Sequence, residues 1–301
     1  MDYAQHLQED KFVIFLFHGV IEKQVAQVRN YTRKHLEKDY FAGKLKELIS
    51  AGGNPVSMDD IASHHAAGEP LPPRSFAVTF DDGFLNNLTV AAPVLADLSI
   101  PATFYVTTDF IQSNRMSWVD RIEWAIEETA SGLLHLPWRN DAHFSDADSK
   151  RQLLDEIRRH VKSDRKIRMD DLASDIQRQL GLPETWASEN LLDRKMDWDE
   201  VARLHGHPLF VVGGHSHSHA ILSFLTEDEL EYEIAHSLEL LRDNAAVSPK
   251  HYSYPEGLAH CYSESIIARL KRHDVQVCPS AIDGKNDAST DLFHLRRIMA
   301  V

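Results

Sequence analysis

Two short clusters carry reactive side chains at a spacing that could do chemistry. The first is the carboxylate pair of Thr79-Phe80-Asp81-Asp82-Gly83. The second is His215, His217 and His219, alternating with serines behind Gly213-Gly214. Two carboxylates that converge on one pocket repel each other, and one must keep its proton unless a cation lies between them. Neutral imidazoles are common ligands for zinc and similar ions. In an extended segment all three histidines share a face; in a helical turn His215 and His219 share one and His217 points away. Two histidines and one carboxylate on a divalent ion leave a position open for water or substrate, as in a hydrolytic rather than a structural site. Alone, an Asp-Asp-Gly turn or a His-rich loop is ordinary surface. Together, each behind an expected strand, they point to a metal site.

The clusters need elements to position them. Residues 11–17 (KFVIFLF) form a short apolar run that reads as a buried strand ending at His18. A helical pattern over 40–50 stops at Gly52-Gly53, and a capped short helix follows over 57–65. The prolines Pro70, Pro72 and Pro73 precede a β-branched and aromatic strand over 75–80, and Gly83 gives the chain freedom to turn after the acid pair. A helix over 89–98 tolerates Pro93 in its first turn, and 100–107 reads as the next strand. From about 120 to 195 charged amphipathic segments dominate, notably 150–161 and 169–180, and this stretch reads as a helical insertion within one domain spanning 1–301. Beyond it come a strand over 208–212, a helix opened by the Thr226/Glu229 capping box, and short late strands at 252–254, 275–277 and 292–301. Strands alternating with helices imply an α/β fold with a parallel sheet or barrel, whose chemistry collects at the carboxyl ends of the strands. His18, Asp81-Asp82, residues 107–109, 215–219 and 254–257 all stand at such ends.

Composition bounds the partners. Hydrophobic residues make up 43% of 301, enough for a substantial core, and the 26% that are charged give no sign of global disorder. A formal net charge of −14 argues against nucleic acid, because phosphate binding needs clustered Lys and Arg. The two cysteines, Cys261 and Cys278, have no metal-like spacing and read as thiols in a reducing compartment. The polar start lacks the pattern of a signal peptide, and no run is long enough to span a bilayer. The expectation is a cytoplasmic protein, with peripheral contact to the inner membrane left open.

Four motifs now stand in order: TFDDG at 79–83, Pro101-Ala102-Thr103-Phe104-Tyr105-Val106, GGHSHSH at 213–219, and Tyr252-Ser253-Tyr254-Pro255-Glu256-Gly257. This set resembles the polysaccharide deacetylases (NodB-homology domain, carbohydrate esterase family 4), in their Tyr-Pro-x-Gly branch. The resemblance covers roughly 11–125 and 195–301. It implies an irregular (β/α)7-type barrel that removes N-acetyl groups from amino sugars with a divalent metal, Zn2+ first, with Co2+, Ni2+ or Mn2+ as alternatives. Carried over by position, it implies Asp81 as catalytic base and Asp82, His215 and His219 as metal ligands, with His217 not implied. It also implies the Glu256 backbone N–H, within Tyr254-Pro255-Glu256, as an oxyanion donor. Two departures stand out. Ser253 occupies the position where an arginine commonly orients the base, and Arg296, Arg297 and Arg121 are unranked substitutes. The usual Leu-x-His acid is missing at the end of the chain, but Leu16-Phe17-His18 fits it at the start, as in circularly permuted members, and implies His18 as general acid. Trp198 is an expected apolar wall for the acyl group, and Ser117-Trp118 opens the insertion where a sugar could touch it; ordinary packing is the competing reading for both. The substrate expectation is an N-acylated amino sugar of polysaccharide or glycoconjugate biosynthesis, lipid- or nucleotide-linked. The alternatives are deformylation of a formamido sugar and a catalytically inactive carbohydrate-binding barrel.

Overall fold

The computed structural model describes residues 2–23, 28–68 and 70–301. Its strands are β1 (Val13–Phe17), β2 (Gly19–Ile21), β3 (His35–Glu37), β4 (Asn54–Pro55), β5 (Ser75–Phe80), β6 (Ala102–Val106), β7 (Gly132–Leu136), β8 (Arg139–Phe144), β9 (Phe210–Gly214) and β10 (Ile298–Met299). Its α-helices are α1 (Lys38–Ser50), α2 (Met58–Ala67), α3 (Ala92–Asp97), α4 (Thr108–Ser113), α5 (Trp118–Glu128), α6 (Ala147–Ser163), α7 (Met169–Gln179), α8 (Trp198–His205), α9 (Glu227–Ala245) and α10 (Glu264–Arg272).

A parallel sheet in the order β10-β1-β5-β6-β9, with β4 also on β5, forms the centre. Single bridges carry the circuit onward, from Gly214 to Tyr252 and from His251 to Val277. Backbone bonds from Cys278 and Ser280 to the Leu292 and Leu295 carbonyls lead back toward β10. The expected late strands are therefore mostly single-bridge contacts, and only Ile298–Met299 forms a ladder there. Strands and helices alternate around this circuit as an α/β barrel whose late strands are joined by single bridges.

Alternation along the strands sorts the side chains. Phe17, Phe80 and Phe104 lie in register across β1, β5 and β6, with neighbouring rings stacked at 5.3 and 4.9 Å. They share one core cluster with Phe41, Leu45 and Leu48 of α1. Ile14 and Ala77, on the other face, cluster with Phe12, Val277 and Leu295. The Phe17–Phe80 register continues as the Asp81 N–H donates to the Phe17 carbonyl at 3.0 Å. The residues after β1 and β5 are thereby side by side.

Several elements differ from expectation. The helix over 89–98 opens with a π turn at Asn87–Ala91 before α3 begins. The strand expected at 208–212 runs instead from Phe210 through Gly214, and the β2–β3 pair has no sequence counterpart above. The stretch 120–195 is not wholly helical, since β7 and β8 form an antiparallel hairpin. Its apolar side chains, from Ile122 to Leu154 and Ile176, make a separate core cluster joined by Trp118 and Val28. Among the described residues no helix is long and apolar enough to cross a membrane.

Candidate active site

At the end of β5 the backbone leaves the strand through two left-handed residues, Asp82 at φ 78° and Gly83 at φ 82°. A Cβ on Gly83 would sit 2.8 Å from Ile111 Cδ1, so the turn needs glycine for space as well as for φ. Beyond β9 the His215 N–H still donates to the Val106 carbonyl at 3.0 Å, and then Ser216 and His219 both take φ 62°. The segment is thus neither extended nor helical. Its turns bring His215 and His219 together and send His217 elsewhere, to Thr108 Oγ1 at 2.9 Å from Nδ1 and edge-on to the His236 ring. Non-glycine residues with positive φ are uncommon and collect where function holds them. Asp82, Ser216, His219 and Glu256 all have it here.

Asp82, His215 and His219 each offer a ligand atom, all within 4.8 Å of one another. Asp82 Oδ1 lies 3.3 Å from His219 Nε2 and 3.7 Å from His215 Nε2. That oxygen is buried and has no hydrogen-bond partner among the described residues. His215 Nδ1–H donates to the Ser253 carbonyl at 2.8 Å, leaving Nε2 as a bare lone pair, the usual way in which a ligating imidazole is oriented. Burial, against the pull of Asp81, pushes the His215 imidazole down to about 4, so the ring is neutral at neutral pH. Burial would raise the Asp82 carboxyl, but His219, His18 and His215 overcome it and hold the group well below the usual range. An orphaned carboxylate oxygen facing two imidazole nitrogens is a donor set that fits a divalent ion.

Asp81 is held differently. Arg297, 1% exposed, reaches up inside the barrel and meets both carboxylate oxygens at 2.8 Å. The same guanidinium donates to the Ser253 hydroxyl and the Ser280 carbonyl, at 2.8 and 2.7 Å. Burial raises the Asp81 carboxyl, yet Arg297 and then His215 keep it below its ordinary value. Among the three arginines left unranked by sequence, only Arg297 stands at the acid. Arg121 is spent on Thr185, Ser174 and Gln177 within the 120–195 stretch.

A cavity of about 270 Å³ opens above these groups, lined by His18, Asp81, Asp82, His215, His219 and Glu256. His18 follows β1, and burial lowers its imidazole against the opposing pull of Asp82 and Asp81. Glu256 takes φ 59° and pairs through its carboxylate with Lys162 of α6 at 2.5 Å. Trp118, Val119, Arg158 and Lys162 close the opposite wall from α5 and α6, and Lys34 joins them.

Three expected contact residues are not in this wall. Tyr254 is fully buried, stacked on Tyr262 with its hydroxyl on the Phe293 carbonyl, and Pro255 is buried beside it. Trp198 opens α8 and packs on the core cluster of the barrel, so packing took the side chain that was expected to line the acyl pocket. The apolar aromatic wall is Trp118 instead.

A family model described as polysaccharide deacetylase matches residues 68–278. That span holds the acid pair and the histidines but not His18 or Arg297. Over 93 residues the chain is 31% identical to the poly-beta-1,6-N-acetyl-D-glucosamine N-deacetylase of Escherichia coli (strain K12), covering 31% of this chain and 13% of that protein. The relative of the same name from Escherichia coli O157:H7 gives the same figures. Among solved structures, IcaB from Ammonifex degensii superposes with TM-score 0.62 at 17% identity, over 98% of this chain and 94% of that one. The Streptococcus pyogenes deacetylase PplD, in complex with acetate, gives TM-score 0.62 at 14% identity, over 97% and 93%. The BpsB deacetylase domain from Bordetella bronchiseptica gives TM-score 0.58 at 17% identity, over 97% of each chain.

Proposed function

The chain belongs to the polysaccharide deacetylase family, and from that premise we propose that it is a metal-dependent hydrolase releasing acetate from an N-acetylated amino sugar. The observation that carries this reading is the convergence of Asp82, His215 and His219 beside an ionised Asp81 locked to Arg297. These three residues would hold a divalent ion, most simply Zn2+, which when bound supplies Lewis acidity toward the amide carbonyl and lowers the pKa of nearby water.

The remaining steps fall to the protein. Asp81, its carboxylate plane fixed by Arg297 and Ser253, takes the proton of the water that attacks the carbonyl carbon. The Glu256 backbone N–H, at the left-handed turn on the cavity wall, is the donor to the developing oxyanion. His18 then gives a proton to the amine nitrogen as the C–N bond breaks, so that acetate and a free amino sugar leave. Trp118, Val119 and Met299 offer an apolar wall for the methyl group.

The likeness to the poly-beta-1,6-N-acetyl-D-glucosamine N-deacetylases of Escherichia coli favours N-acetylglucosamine as the sugar. Lys34, Arg158 and Lys162 on the cavity wall are already paired with Asp120, Glu123 and Glu256, so they single out no anionic linker, and a lipid- or nucleotide-linked sugar stands beside free and oligomeric ones in the test. The test is a panel of N-acetyl and N-formyl sugars, free, phosphate-linked and oligomeric, incubated with metal-loaded protein while acetate and formate are measured. Acetate release is expected. Formate alone would make the protein a deformylase, and release of neither acid would leave a carbohydrate-binding barrel.

A further inference from the structure

We propose that Glu233 of α9 is the positioning residue of the histidine segment, holding the turn that makes His215 and His219 converge. This rests on the reading that those two histidines hold a divalent ion. The segment 215–219 lies in no helix or strand and includes two left-handed non-glycine residues, so ladder hydrogen bonds do not hold its shape. Its backbone groups are satisfied from two sides. On one side the 107–109 segment binds the carbonyls: Thr107 Oγ1 donates to His215 O at 3.1 Å, Thr108 N to Ser216 O at 3.2 Å, and Asp109 N to His217 O at 2.9 Å.

On the other side stands one carboxylate. Glu233 Oε2 accepts from the His217 and Ser218 N–H groups at 2.9 and 2.8 Å, and Oε1 accepts from Ser218 Oγ at 2.6 Å. Two successive N–H groups on one anionic oxygen form a backbone cradle, and a charged acceptor makes these bonds strong. Glu233 is 7% exposed, and its helix is anchored in the core by Leu230, Ile234 and Leu238, so the carboxylate is a rigid post. This also gives the middle of the His-Ser-His-Ser-His motif a task. His217 and Ser218 form the strap, and the outer histidines are what it aims.

The experiment compares wild type with Glu233→Gln, Glu233→Ala and Ser218→Ala, all stripped with chelator. Thermal unfolding is read without metal, and Zn2+ affinity by competition with a chromophoric chelator. A neutral amide in place of the carboxylate cannot accept from all three donors. Glu233→Gln should therefore bind Zn2+ about 10–100-fold more weakly, the range typical of outer-sphere partners of a metal site. Ser218→Ala, which removes one of the three bonds, should fall between that variant and wild type. The melting temperature of the metal-free variants should stay close to that of the metal-free wild type. Unchanged Zn2+ affinity in all three variants would overturn the proposal. So would a metal-free melting temperature that falls in step with affinity, because Glu233 would then serve the fold at large. A wild type that takes up no divalent ion would instead overturn the metal reading beneath it.

Discussion

Asp81 and Arg297 are a charge pair sealed inside the barrel, and removing either partner strands the other in a medium that penalises lone charge. Breaking such a pair costs about 3–5 kcal/mol. Arg297→Met should therefore lower stability by that amount in chemical denaturation, whereas Arg297→Lys should lose less while still impairing turnover, because a single ammonium cannot make the two-pronged contact. Asp81→Asn keeps the shape of the side chain and replaces none of the three metal ligands, although Asp81 Oδ2 stands 3.8 Å from His215 Nε2. It should retain bound metal and lose about 10²–10⁴-fold in kcat, the usual contribution of a general base. At this scale the acid pair and the histidines were legible, because each sits in one contiguous motif at a strand end. Arg297 was not singled out, although a signal for it exists. Phe293, Leu295 and Arg297 alternate with His294 and Arg296 as the chain leaves a turn and approaches β10, and the first three are buried while the other two are exposed. A period-two reading from the two apolar positions points Arg297 inward. The expectation that Tyr254 and Pro255 stand at the substrate with Glu256 failed for a related reason: Tyr254 and Pro255 are buried and Glu256 reaches the cavity.

Single turns decide whether the elements deliver their side chains. The Asp82-Gly83 turn has little slack, with Val106 as well as Ile111 against the position of a Gly83 Cβ. Gly83→Ala combines a disfavoured φ with overpacking. A loss of about 1–3 kcal/mol is expected, read as a lower denaturant midpoint with unchanged slope. Helix starts were legible where capping residues announce them. Ser57 and Thr226 each accept a hydrogen bond from the backbone three residues on, as cap chemistry requires, and Ser117 caps α5 in the same way without having been read as a cap. The β7–β8 hairpin was not legible. Leu134 and Leu136 are buried while Leu133 and His135 are exposed, but this short alternation is set among strongly charged helical text. The strand displaced to Phe210–Gly214 is instructive too. Gly213 and Gly214 read as a break, whereas they are strand residues beside which a Cβ would strike the His251 carbonyl and the Tyr252 ring. Glycine there permits close strand approach rather than ending the strand.

At the scale of the molecule, a buried charge network ties the 120–195 stretch to the barrel mouth. Asp120 on α5 pairs with Lys34 and stands 3.7 Å from Lys195 Nζ, while Arg158 on α6 pairs with Glu123. Burial alone would raise the Asp120 carboxyl, but Lys34 and Lys195 drive it far below its ordinary value. A carboxyl with a depressed folded pKa stabilises the fold above its unfolded pKa, about 3.9, and that contribution drains away as pH falls below about 5. Stability measured by denaturation from pH 7 downward should therefore fall in acid, and Asp120→Asn should lower stability at pH 7 while flattening that acid limb. The barrel class was legible from the alternation of strands and helices, whereas this network was not, since its members lie far apart in the chain and meet only through the fold. The account as a whole stands on one ion held at the barrel mouth. Elemental analysis of purified protein measures it directly: about one divalent ion per chain is predicted for wild type, Asp81→Asn and His217→Ala, and almost none for Asp82→Ala and His219→Ala. An Asp82→Ala protein that keeps its full complement of metal would contradict it.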